Sequence, residues 1–112
     1  MAALAGAERV VTNDAWLPAV EDAILNLEAN RSILGIDRIE RPETPACEVG
    51  AEPVLAAEAE GDGCKIEVYF GDAERLFSRA KPTDLCLIDP FPGMNFSRIA
   101  EACEACGEIV VV

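Results

Sequence analysis

The stretch Asp84–Asn95, DLCLIDPFPGMN, decides how the rest of the chain is read. A run that is apolar on both faces ends abruptly in Asp89, and two prolines and a glycine follow. Strands apolar on both faces belong in the middle of parallel sheets covered by helices on either side. Asp89 would then stand at the carboxyl end of a buried strand, where a single carboxylate can accept a phosphoryl group or hold the acceptor in a group transfer.

Working outward, the flanking segments alternate between strand and helix. RVVTND is β-branched and ends in acid, which predicts a strand over about Arg9–Asn13. Pro18 follows at a position that the first turn of a helix tolerates. Val20, Ala23, Ile24 and Leu27 then recur at helical spacing, and the helix is expected to end before Gly35. CKIEVYF predicts a strand with Ile66, Val68 and Phe70 on one face. GDAERLFSRA reads as a loop and short helix, NFSRIAEACEAC as a helix that Asn95 or Ser97 could cap, and GEIVVV as a final strand. The residues between about Gly35 and Gly63 carry three prolines, many glutamates and little periodicity. They read as an insertion, a solvated loop with at most a short helix at VLAAEAE.

The alternation predicts an α/β fold, a three-layer Rossmann-like parallel sheet built as a single domain over residues 1–112. In such sheets ligands bind beyond the carboxyl ends of the strands. Asp14, Asp72 and Asp89 all fall at or just after such an end. Each alone is also an ordinary cap or turn residue.

Composition narrows the classes. About half of the 112 residues are apolar, and no run approaches the ~20 residues of a membrane span, so a cytoplasmic chain without a membrane partner is expected. A formal charge of −12 repels phosphate backbones, so an RNA substrate would have to be held by another domain or chain. A salt-adapted host would explain the same charge. Five cysteines in a cytosolic chain are expected as thiols. Cys103 and Cys106 form a CxxC inside a helical pattern, and Cys47 and Cys64 do not complete a zinc-ribbon spacing, so no metal is expected.

DAWLPAVEDAILNLEAN resembles the segment after the second strand of class I S-adenosylmethionine-dependent methyltransferases: an acid ends the strand, an Ala-Val pair opens the helix, and two asparagines follow four residues apart. Here these are Asp14, Ala19, Val20, Asn26 and Asn30. YFGDAERLF is similar to that family's step after the third strand, and LIDPF to its fourth motif. Asp-Pro-Phe with a glycine close behind looks most like the tRNA guanosine N2-dimethyltransferases. The resemblance implies S-adenosylmethionine as cofactor. It places Asp14 on the ribose hydroxyls, Ala15 or Trp16 against the adenine, Asp72 on the adenine amino group and the Ala73 amide on a ring nitrogen. Asp89 and the Pro90 carbonyl would hold an exocyclic amine, with Phe91 stacked on the target ring. Transfer of a methyl group to an amino nitrogen, on an RNA base during tRNA processing, is the implied reaction.

The family's first strand and glycine-rich loop do not precede Arg9 in this sequence, so the core is expected to be incomplete. In the family that strand lies between the ones ending at Asp14 and Asp89. The gap is expected to close by placing the four predicted strands in the order 2-1-3-4, or to be filled by another chain, a homo-oligomer included. Weak cofactor affinity is expected, and whether the isolated chain catalyses is left open by its sequence. Two alternatives stand beside this reading: a non-catalytic Rossmann-like binding module, and a receiver-like signalling domain with Asp89 as phosphoacceptor. The receiver reading fits less well, because Asn13 stands where adjacent acids are usual and the proline follows Asp89 one residue early.

Overall fold

The computed structural model describes residues 6–43, 52–73, 75–76, 83–88, 97, 101 and 106–111. They form an α/β arrangement in two compact units, Met1–Asp72 and Ala73–Val112.

In the first unit, β1 (Arg9–Asp14) leads into α1 (Leu17–Ala29) and the single turn α2 (Arg31–Leu34). Pro18 stands in the first turn of α1, and Gly35 ends α2 in a left-handed conformation with φ 66°, a C-cap that favours glycine. The chain continues through β2 (Ile36–Glu40), β3 (Val54–Gly61) and β4 (Cys64–Phe70). The four strands form one sheet in the order β1-β4-β3-β2. β1 and β4 are parallel, with Asp14 opposite Phe70, whereas β3 runs antiparallel to both β4 and β2.

This sheet departs from the expected all-parallel one, and the turn between β3 and β4 explains why. Asp62 and Gly63 both have positive φ, 26° and 76°, and Gly61 pairs with Cys64. Such a two-residue turn joins only antiparallel neighbours, and Asp-Gly is a preferred sequence for it. VLAAEAE is therefore a strand, where at most a short helix was expected. Ala57 and Ala59 are fully buried, while Glu58 and Glu60 alternate with them and pair with Lys65 and Arg38. Alanine and glutamate favour helices, but period-two burial against β4 overrides that preference. Of the segment expected as a loop, residues 36–40 and 54–61 are strands, and 44–51 lie outside the described residues.

α1 packs on one face of the sheet. Val20 and Ile24, 1% and 0% exposed, meet Ala56, Ala57 and Val68, with Ala23, Leu27 and Phe70 around them. A second cluster of Ile36, Ala59 and Ile66 shares Leu27 with the first. The strand residues that alternate with these carry charges in register. Arg38, Glu60, Lys65 and Arg9 form one cross-strand row, and Glu40, Glu58 and Glu67 form the next. Each carboxylate of the second row pairs with a cation of the first: Glu40 with Arg38, Glu58 with Lys65 and Glu67 with Arg9. The pairing relieves the like-charge contacts that three adjacent carboxylates would otherwise make.

In the second unit, β5 (Thr83–Ile88) and β6 (Cys106–Val111) pair in parallel. Ser97 and Glu101 are helical and exposed, and the other residues of the helix expected here lie outside the described ones. The two parallel pairs, β1 with β4 and β5 with β6, are adjacencies that the expected order contained.

Candidate functional site

The site is built where two parallel strands end together. Asp14 closes β1 and Phe70 closes β4 in the same register. The ladder continues one step beyond the strands, with the Gly71 amide donating to the Asp14 carbonyl at 3.0 Å. The Asn13 side chain adds a second tie, its Nδ2 donating to the Gly71 carbonyl at 3.1 Å. Gly71 is buried with φ 151°, and a Cβ there would lie 2.7 Å from Pro53 Cα. Only glycine fits between Pro53 and the end of β1 without displacing backbone. Asp72 follows directly and is exposed. Asp72 thus follows the end of β4 by two residues, separated by the buried glycine from the partner of Asp14.

Asp14 is exposed, and its Oδ1 accepts the Trp16 amide at 2.8 Å. This bond to the backbone two residues on is an Asx-type turn. It fixes the carboxylate without spending it, since each oxygen can accept again. α1 begins just after, with Trp16 at its N-cap position and no side-chain cap. Ala15 is exposed and Trp16, the one tryptophan of the chain, is 67% exposed. A large aromatic left exposed beside the Asp14 carboxylate offers an apolar face next to an acceptor.

Asp14, Ala15, Trp16 and Asp72, expected from the sequence to hold the cofactor, lie on the segments that leave the same end of the β1–β4 pair. Ala73, assigned to a ring nitrogen through its amide, is half-buried and is the first residue of the second unit. Asp89, Pro90 and Phe91 lie outside the described residues. Asn13, Gly71 and Pro53 were not read as site residues. The Gly-Asp pair after a strand was a signal for Gly71, whereas nothing local in the sequence links Pro53 or the Asn13 amide to it.

Other features carry less chemistry. An open groove of about 410 Å³ is lined by Glu40, Arg41, Pro42, Leu55 and Glu58 and contains none of these site residues. Its Arg41 is engaged by Glu21 at 2.6 and 2.8 Å, and its Glu58 by Lys65 at 3.1 Å. Burial raises the pKa of the Cys64 thiol, which disfavours the reactive thiolate. Among the described residues no group of His, Cys, Asp and Glu side chains is arranged to hold a metal ion. None of the described helices is long and apolar enough to cross a membrane. Comparisons with family models, curated proteins and solved structures find no significant match.

Proposed function

We propose that the chain is part of an S-adenosylmethionine-dependent methyltransferase core of Rossmann-like fold that transfers a methyl group to an amino nitrogen, of an RNA base in the cytoplasm. The observation that carries the reading is that the adjacent parallel strands β1 and β4 end in register, with Asp14 closing β1, Asp72 two residues beyond the end of β4, and Trp16 exposed two residues after Asp14. Carboxylates at that place in an α/β sheet suit a nucleoside, whose ribose diol and exocyclic amine are donors that an ionised acid accepts. Each of the two units contains one parallel pair, β1 with β4 and β5 with β6, of the kind such a fold uses.

The residues present fit the adenosine part of the cofactor. Asp14 is presented with its carboxylate held by the Trp16 amide, Asp72 is exposed, and Trp16 offers a flat apolar face. The cofactor supplies an electrophilic methyl group when bound. Asp89 and the Pro90 carbonyl are proposed to hold the amine, and Phe91 to stack on the acceptor ring. Such a displacement is accelerated by positioning and electrostatics rather than by a covalent enzyme intermediate. With a net charge of −12, the RNA itself is proposed to be held by another chain or domain.

Isothermal titration of the full chain with S-adenosylhomocysteine tests the reading. Weak, saturable heat is expected, reduced about tenfold or more in affinity by Asp14→Asn, the scale of a hydrogen bond to a charged group. Absence of both heat and thermal shift would rule it out.

A further inference from the structure

We infer that Asn13 is a positioning residue for the nucleoside site, holding Asp72 in place relative to Asp14 through the Gly71 peptide; this rests on the cofactor reading above. β1 and β4 pair through Asp14 and Phe70, and Asp72 follows two residues beyond, after Gly71. Three contacts fix that glycine. The Asp14 carbonyl accepts the Gly71 amide, the Asn13 Nδ2 donates to the Gly71 carbonyl, and Pro53 packs against Gly71 Cα on the side where a Cβ would project. The backbone N–H and C=O of Gly71 are therefore both bound by consecutive residues of β1.

The chemistry of the amide is specific to this task. Asn13 lies between Thr12 and Asp14, which are exposed, and is itself half-buried, directly opposite Tyr69. An aspartate in its place could not donate to a carbonyl and would add a second negative charge beside Asp14. A neutral donor meets both needs. Preorganising two acids before the ligand arrives lowers the ordering cost of binding, so the bond is read out as affinity.

The test is a double-mutant cycle on the full chain, with S-adenosylhomocysteine as the probe and the fluorescence of Trp16 as the signal, at a temperature where every variant is fully folded. Asn13→Ala is expected to weaken binding about fivefold, the equivalent of ~1 kcal/mol. In the Asp72→Asn background the same change is expected to have less than a twofold effect, because Asn13 then has no acid left to position. A purely structural asparagine would lower the melting temperature and leave the affinity of the folded protein unchanged. Equal affinity of Asn13→Ala and the parent, or an equal loss in both backgrounds, would overturn the assignment and leave the cofactor reading standing. Failure of the parent chain to give any saturable signal would overturn the cofactor reading itself, and this assignment with it.

Discussion

Replacing Gly61 by alanine probes the part of the fold that departs furthest from expectation, the packing of β2 on β3. A Cβ at Gly61 would lie 2.7 Å from both the Gly35 carbonyl carbon and Ile36 Cα, and closer still to the Gly35 carbonyl oxygen. All three are backbone atoms, so no side chain can rotate away. Carbon atoms sit comfortably at about 3.5–4.0 Å, and the start of β2 must therefore withdraw by roughly 1 Å. That movement breaks the Ile36–Gly61 pairing and draws Ile36 from its place against Ala59 and Ile66. Losing much of one isoleucine's burial, ~1.5–3 kcal/mol, and one ladder hydrogen bond, ~1 kcal/mol, gives an expected cost of about 2–4 kcal/mol. Gly63→Ala is the control. Nothing lies within 4 Å of a Cβ there, so only the left-handed φ of 76° opposes the substitution, at about 1–2 kcal/mol. By circular dichroism melts, these costs correspond to losses of about 8–16 °C for Gly61→Ala and about 4–8 °C for Gly63→Ala. A Gly61→Ala protein that melts no lower than Gly63→Ala would refute the pairing of residues 36–40 with 54–61.

Two further expectations follow from the charged rows. Glu67 is only 7% exposed and is held by Arg9 at 2.7 Å, so Arg9→Ala leaves a buried carboxylate without its cation. Arg9 is itself half-exposed, which limits the loss to about 1–2 kcal/mol in urea unfolding, and Glu67→Gln in the same chain should restore part of it. Lys65 has its pKa raised above 10.5, first by a hydrogen bond from its ammonium to Glu58 and then by the charges of Glu58, Glu67 and Glu60. A raised folded-state value means the stabilisation is full below the ordinary lysine pKa and is lost as pH rises through the raised one. The urea midpoints of the parent and Lys65→Met should therefore differ at neutral pH and converge above 10.5.

What the sequence revealed, and what it hid, follows from how local each signal was. The β-branched run at Arg9–Asp14 and the alternation of Cys64–Phe70 announced their strands, because both patterns are complete within a few residues. Helix α1 was legible from Val20, Ala23, Ile24 and Leu27, which do meet the core. β3 was misread, since Ala57, Glu58, Ala59 and Glu60 favour a helix in isolation and become a strand only against β4. Asp62-Gly63 was the available corrective, a hairpin signal. β2 had no comparable marker, because Ile36 and Ile39 are apolar positions separated by a register irregularity. The site divided in the same way. Asp14 and Asp72 were legible as acids at strand ends, whereas the Asn13–Gly71–Pro53 contacts join residues far apart in sequence.

The most direct test of the central claim is an amide NMR titration of the full chain with S-adenosylhomocysteine. Saturable shifts are expected at Asp14, Ala15, Trp16, Gly71 and Asp72, including the indole N–H, with β2 and α2 unaffected. Saturable shifts confined to other segments, or none at millimolar ligand, would contradict it.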